Sequence, residues 1–269
     1  MNFIREKKVY CGDKFMEVDI YPFTKTQQEV SRGKREKRKK VTIPKQKNLN
    51  DKNARRYLIQ LMNSNFDSKD MHVTCTYKMG EHPNTVEEAE TEARNFIRRV
   101  NYLRKKREID PVKYILITEL TFKNDMLIRV HHHIVMNGGL ERDEVEDLWR
   151  KKRNKGQKKG DKIGRINADR LQPDENGLAA LAAYLTKEPN RKKRWSCSQK
   201  LKRPEQAPPN DHKYSKRQVE RIARGLVDDA YWRKKYPGWR ITDKDYGIQV
   251  SYNELTGYYI YLRLRKDTS

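Results

Sequence analysis

Three consecutive histidines stand inside an apolar stretch of nine residues, Ile128 to Met136. Branched apolar residues in a run of this length predict a mostly buried β-strand. Because strand side chains alternate between two faces, His131 and His133 must share one face while His132 points to the other. Burying several imidazoles without partners is costly, and a metal ion satisfies them. The stretch therefore predicts half of a metal site, with a structural role for His132.

A second apolar run, Val112 to Leu120, precedes this strand, and the two read as a β-hairpin. A three-residue loop from Asn124 to Met126 places Glu119 opposite His131, so Glu119 is the predicted third ligand. A shift of register by one residue would turn Glu119 to the other face. A mixed nitrogen and oxygen site suits Mn²⁺ or Mg²⁺ with open positions for a phosphate oxygen, whereas zinc usually collects a fuller nitrogen or sulfur shell.

An alanine-rich helix is predicted from Gly177 to Lys187. At 100° per residue its buried stripe consists of Leu178, Leu181 and Leu185. Tyr184 lies at the edge of this stripe, where it can reach over the sheet, and Lys187 lies one step closer to solvent. The helical pattern alone favours a packing role for Tyr184, because the chain has 15 tyrosines.

The order of predicted elements between Met71 and Lys187 is strand, helix, strand, strand, helix, strand, helix. This order predicts an α+β fold of the ferredoxin-like, split βαβ type, with an antiparallel sheet, helices on one face and basic extensions. The helices are expected at Val86 to Arg107, Glu141 to Arg153 and Gly177 to Lys187, and a short strand at Lys162 to Asn167. The predicted segments are a basic arm with a docking helix (1–65), the sheet domain (66–190), a linker (191–213) and a module of one helix, Ser215 to Lys235, and a β-hairpin (214–269).

The chain carries a formal charge of +24, from 61 Lys and Arg against 37 Asp and Glu. Such an imbalance attracts polyanions and points first to nucleic acid, although ribosomal or membrane-surface binding, or solvated tails, would share the signal. The predicted DNA-binding residues fall in three clusters: Arg32, Lys34, Arg35, Lys37, Arg38, Lys39 and Lys40; Arg150, Lys151, Lys152 and Arg153; Arg191, Lys192, Lys193 and Arg194.

Three scattered cysteines, Cys11, Cys75 and Cys197, have no paired spacing and fit a reducing compartment. The longest apolar stretch, Leu178 to Leu185, is far shorter than the roughly 20 residues of a membrane span, and the first residues show no secretory pattern. We therefore expect a cytoplasmic location and no membrane role.

The histidine motif, followed some fifty residues later by Tyr184-Leu185-Thr186-Lys187, resembles the HUH endonucleases of rolling-circle replication. The resemblance covers roughly Met71 to Lys187. Position 188 is Glu rather than a second tyrosine, so the chain is most similar to the single-tyrosine replication initiators (Rep) of plasmids, phages and related mobile elements.

This resemblance implies metal-dependent nicking and joining of single-stranded origin DNA. Tyr184 would be the nucleophile that forms a 5′-phosphotyrosine and releases a 3′ hydroxyl, and His131, His133 and Glu119 would hold the metal. A free tyrosine has a pKa of about 10, so Lys187 is a candidate to favour the phenolate or to neutralise the phosphate, or it simply supports the end of the helix. No Walker-type glycine loop is present, so a host helicase and polymerase would be separate partners. The oligomeric state stays open.

Three alternatives remain open from the sequence. Relaxases and HUH transposases share the chemistry but differ in substrate. A non-catalytic regulator could bind single strands by stacking and phosphate contacts. A histidine-metal nuclease could activate water, and it would leave no protein on the DNA.

Overall fold

The computed structural model describes residues 2–24, 44–124, 126–187, 194–243 and 247–267. The chain divides into two compact units. We call the first the terminal unit (Met1–Asn65, Asp174–Ala180 and Lys202–Ser269) and the second the histidine unit (Phe66–Pro173 and Leu181–Leu201).

The described elements follow the chain in this order: β1 (Asn2–Cys11), β2 (Phe15–Thr24), α1 (Pro44–Asn63), β3 (Met71–Thr76), α2 (Val86–Lys106), β4 (Tyr114–Lys123), β5 (Met126–Met136), α3 (Arg142–Asp147), β6 (Ile166–Arg170), α4 (Ala179–Leu185), β7 (Ser196–Cys197), β8 (Glu205–Gln206), α5 (Lys216–Ala223), α6 (Asp229–Lys235), β9 (Trp239–Ile241), β10 (Ile248–Asn253) and β11 (Gly257–Lys266).

The sheet of the histidine unit has the strand order β6-β3-β5-β4-β7, and every pair in it is antiparallel. Helices α2 and α3 pack on one face. Thr85 caps α2, since its side chain accepts a hydrogen bond from the Glu88 amide. The predicted α+β fold with an antiparallel sheet is confirmed.

The two faces of this sheet differ because the strand residues alternate. Along β3, alternate side chains starting at Met71 are buried, and those starting at His72 are half-buried. The buried set joins apolar residues of α2 and α3 in one core, whose largest members include Phe96, Val100, Ile134 and Trp149. The opposite face carries Thr74, Glu119, His131 and His133, so the helices leave the predicted site side of the sheet free.

The β4–β5 hairpin reaches the predicted register by a different route from the one expected. Glu119 pairs with His131, as predicted, but Lys123 pairs with Met126, so two residues connect the strands instead of three. A β-bulge compensates, because Ile128 has no partner in β4. The bulge thus restores the register at the histidines.

The terminal unit contains a sheet that the sequence analysis did not anticipate. Its order is β10-β11-β2-β1-β8, and β9 also pairs with β11. Residues 2–24, expected as part of a basic arm, instead form two buried strands. Their pattern was hidden by buried charged residues such as Glu6, which accepts hydrogen bonds from Tyr236 and Lys213 far along the chain. The C-terminal hairpin pairs as predicted, with Ile248 opposite Leu262.

Several predicted helices have different limits. The single helix expected from Ser215 to Lys235 is two helices, α5 and α6, because Gly225 adopts a φ of +70° and Asp228 caps the second one. The third predicted helix is only the short α3, and the strand expected at Lys162 to Asn167 lies at Ile166–Arg170. The division into units also falls inside α4, between Ala180 and Leu181, rather than at residues 65, 190 and 213 alone.

Candidate metal centre and nucleophile

Glu119, His131 and His133 come together on the open face of the histidine unit. One ligand atom from each lies within 4.8 Å of the other two. The closest approach joins His133 Nε2 to the Glu119 carboxylate at 3.3 Å. The His133 side chain is only 6% exposed while that of Glu119 is 51% exposed, so the cluster opens toward solvent on the carboxylate side.

The other ring nitrogen of His133 is held by strand β3. His133 Nδ1 lies 3.3 Å from His72 Nε2 and 3.4 Å from Thr74 Oγ1. The His72 and His133 rings are stacked, with their centroids 5.4 Å apart. If His133 binds a cation through Nε2, its Nδ1 carries the proton and donates to these neighbours, the usual support of a metal-binding histidine.

The imidazoles of the site favour the neutral form. Burial lowers the pKa of His131 and of His133, although the Glu119 carboxylate opposes the shift in His133. Burial also lowers the pKa of His72, to about 4, with a further contribution from its histidine neighbour. Neutral imidazoles can donate a lone pair to a metal without first losing a proton.

Arg129 is a neighbour of the site that the sequence analysis missed. Its Nε donates to His131 Nε2 at 2.8 Å, so this nitrogen presents its lone pair. Strand periodicity could have found Arg129, since residues 129, 131 and 133 alternate along β5 toward the same side. His72 could have been found in the same way from its place on β3, two residues before Thr74.

His132 is fully buried on the opposite face. Its ring nitrogens lie 2.8 Å from the Tyr77 hydroxyl and 3.0 Å from the Thr118 hydroxyl. Both polar atoms therefore have partners inside the core, which agrees with a structural role.

Tyr184 lies over the open face, on α4. Its ring meets the His133 ring edge-on, with the centroids 6.1 Å apart, and its side chain is 62% exposed. Leu178 and Leu185 are buried as predicted, whereas Leu181 is only half-buried. The structure thus brings the predicted nucleophile to the predicted metal ligands and keeps it accessible.

Lys187 lies just after α4 and is exposed. Its amide donates to the Tyr184 carbonyl at 3.2 Å, which places it one turn after the tyrosine. Its ammonium group forms no salt bridge with the described residues.

The three side chains fit a divalent cation. Two neutral imidazoles and one carboxylate form a mixed nitrogen and oxygen donor set, and the exposed carboxylate side leaves room for further ligands. Glu119, His131 and His133 would hold the ion. The possible metal site was predicted from the sequence; the identity of the metal stays a prediction.

The predicted DNA-binding residues divide into three groups. Those of the first cluster (Arg32, Lys34, Arg35, Lys37, Arg38, Lys39, Lys40), together with Arg191, Lys192 and Lys193, lie outside the described residues. Arg150 pairs with Asp147 and Lys151 with Glu81, so these two cations are partly neutralised. Lys152 and Arg153 are exposed, and Arg194 is half-buried.

One comparison with known proteins locates the resemblance on this part of the chain. Residues 70–189 match the model of a replication-associated protein family, the one that includes ORF2. The family match runs from the start of β3 past the end of α4, so it contains all three metal-ligand candidates, Tyr184 and Lys187. It covers 120 of the 269 residues and therefore concerns the histidine unit more than the terminal unit.

Searches of the curated proteins and of the solved structures found no significant match. Within the described ranges, no helix combines the length and the apolar character needed to cross a membrane.

Proposed function

We propose that the protein is a replication initiator that nicks and rejoins single-stranded origin DNA through Tyr184. The observation that carries the proposal is the position of Tyr184, which is exposed and directly beside His133 of a two-histidine, one-carboxylate cluster. The match to the replication-associated protein family supports a role in replication. The net charge of +24 supports a polyanionic substrate.

In this mechanism the Tyr184 hydroxyl oxygen attacks the scissile phosphorus and gives up its proton. The bond from phosphorus to the 3′ oxygen breaks, and that oxygen leaves as a 3′ hydroxyl. The 5′ end stays attached to Tyr184 as a phosphotyrosine, which conserves the bond energy for rejoining. Glu119, His131 and His133 hold Mn²⁺ or Mg²⁺, and the bound cation supplies stabilisation of the charge that develops on the phosphate.

Lys187 is assigned to the phosphate or to the phenolate of Tyr184. It lies one turn from the nucleophile, and an exposed ammonium group can stabilise either negative charge. The free 3′ hydroxyl would prime synthesis by a separate polymerase, with a separate helicase opening the duplex.

The test is a denaturing gel of the protein with labelled single-stranded oligonucleotides tiled across its own locus. Wild type with Mn²⁺ is expected to give a shifted covalent band that disappears with chelator and in Tyr184→Phe. Tyr102→Phe is the matched control, because Tyr102 belongs to the same unit and is 63% exposed; it should keep the band.

The other outcomes identify the alternatives. Cleavage without a covalent band, retained in Tyr184→Phe, would replace the proposal with a water-activating nuclease. Binding without cleavage, unaffected by Tyr184→Phe, would replace it with a non-catalytic regulator.

A further inference from the structure

A cleft of about 890 Å³ opens beside the metal-ligand cluster in the histidine unit. Its walls are formed by residues 76–80, 128–131 and 162–165, and His131 belongs both to the cleft and to the cluster. Pockets of about 300–1,000 Å³ accommodate ligands of the size of nucleotides or drugs. The cleft therefore leads from a ligand-sized volume directly to the candidate active site.

The strand arrangement explains why the cleft exists. Strand β3 ends at Thr76, which pairs with His131. Beyond that point β5 continues to Met126 and pairs only with β4. The bulge residue Ile128 lies in this overhang and is 44% exposed, so the bulge directs an apolar side chain toward the cleft.

The opposite wall is fixed by backbone hydrogen bonds. The Thr76 amide donates to the Arg165 carbonyl at 2.8 Å, and the Lys78 amide donates to the Ile163 carbonyl at 3.1 Å. Gly164 permits this close approach, since a Cβ there would lie 2.1 Å from the Thr76 carbonyl oxygen. The wall is thus held in place before any ligand arrives.

The charges that line the cleft are all positive or neutral. Lys78, Arg129, Lys162 and Arg165 contribute exposed cationic side chains, and none of the lining residues is acidic. Lys78, Lys162 and Arg165 form no salt bridge with any described residue. Unneutralised cations around a cleft attract phosphates.

Apolar groups lie among these cations. Met79 is fully exposed, and the Tyr77 ring also lines the cleft. Alternating cations and flat or flexible apolar groups suit a strand whose bases are not paired, because the base faces are then available for contact. We propose that the cleft binds nucleotides of single-stranded DNA on one side of the scissile phosphate. This inference rests on the proposed function and adds a substrate subsite to it.

The test compares Lys162→Gln/Arg165→Gln with Lys105→Gln/Lys106→Gln. The control pair removes the same two charges from exposed positions at the end of α2. The probe is fluorescein-labelled oligo(dT), titrated by anisotropy at several salt concentrations. We expect roughly tenfold weaker binding for the cleft variant, and a plot of log K against log salt that is shallower by about 1.4, for two lost phosphate contacts on a single strand. The control should stay close to wild type.

A second measurement keeps the proposal testable if the cleft variant folds poorly. Oligo(dT) with 5-iododeoxyuridine in place of thymidine is cross-linked to wild type, and the tryptic peptide 79–94, which begins at Met79, should carry the adduct. Cross-links only outside residues 76–80, 128–131 and 162–165, or equal losses of affinity in both double variants, would overturn the cleft assignment. Oligo(U) bound more tightly than oligo(dT), and weakened by the cleft variant, would reassign the cleft to RNA.

Failure of the proposed function is distinguishable from failure of this inference. If wild type forms no covalent adduct but the cleft variant still loses oligo(dT) binding, the chemistry fails and the subsite stands. If the adduct forms and the cleft variant binds oligo(dT) like wild type, the subsite alone fails.

Discussion

At the scale of single residues, His72 is the neighbour that positions His133. It approaches His133 Nδ1, while Nε2 of the same ring lies at the carboxylate. We predict that His72→Asn weakens Mn²⁺ binding by about 10- to 100-fold, the usual cost of losing such a partner. Isothermal titration calorimetry measures this directly.

The matched control is His212→Asn, an exposed histidine of the terminal unit. It should bind Mn²⁺ with the affinity of wild type. Equal affinities for wild type and His72→Asn would show that Thr74 and Glu119 suffice to orient the ring.

His132 makes stability depend on pH. Burial lowers its pKa to about 3, whereas an unfolded histidine titrates at about 6.5. Between these values the unfolded chain binds a proton that the folded protein excludes. The free energy of unfolding therefore falls as pH falls from about 6.5 toward 3, by up to about 1.4 kcal/mol per pH unit from this residue.

Urea denaturation of metal-free protein at pH 7, 6 and 5 tests this expectation. His132→Asn should be less stable at pH 7, because it disturbs the contacts with Tyr77 and Thr118, but its stability should fall less steeply with acid. Parallel pH dependences for the two proteins would exclude His132 as a source of the acid sensitivity.

At the scale of elements, the bulge at Ile128 reconciles a short turn with the register of the metal ligands. Deletion of Ile128 removes the extra residue and leaves Glu119 opposite His131, so we predict that Mn²⁺ affinity is unchanged while oligo(dT) binding weakens. Calorimetry and anisotropy measure the two affinities.

The comparison for this deletion is Glu119→Gln, which should lose Mn²⁺ affinity because it removes a ligand. Loss of Mn²⁺ binding in the deletion variant, with its circular dichroism unchanged, would mean that the bulge itself shapes the metal site.

The sequence predicted elements well where their pattern was local. Alternation along β5 placed His131 and His133 on one face, and the cap at Thr85 marked the start of α2. The two-residue turn was missed because the residue that compensates for it, Ile128, looks like any other strand residue. Likewise, Gly225 could have divided the helix predicted from Ser215 to Lys235, since glycine is the residue that most readily adopts a positive φ.

At the scale of the whole molecule, the sheet of the terminal unit shows what a sequence conceals. Residues 15–20 of β2 pair with residues 260–265 of β11, and Arg5 donates two hydrogen bonds to Asp211. These partners are more than 200 residues apart. Buried charges in β1 read as a polar arm until their partners are known.

The net charge predicts strong dependence of DNA binding on salt. We expect that replacing the seven cations from Arg32 to Lys40 with Gln weakens oligo(dT) binding and reduces the salt slope by up to about 0.7 per lost phosphate contact. Anisotropy titrations from low to moderate KCl measure the slope. The amount of covalent adduct per bound protein should not change, because the run contains none of the proposed catalytic residues.

A variant with residues 32–40 in scrambled order has the same charge and is the matched control. It should keep the slope of wild type. A slope unaffected by the Gln replacements would remove this run from the DNA-binding surface.

The most direct test of the central claim is to identify the residue that carries the DNA. The covalent product is treated with nuclease and trypsin, and the peptides are analysed by mass spectrometry. Peptide 171–187 contains Tyr184 as its only tyrosine. The account predicts a nucleotide linked through its 5′ phosphate to Tyr184, formed with Mn²⁺ and absent with chelator. A nucleotide on another residue, or a nicked strand with a free 5′ phosphate and no modified peptide, would contradict it.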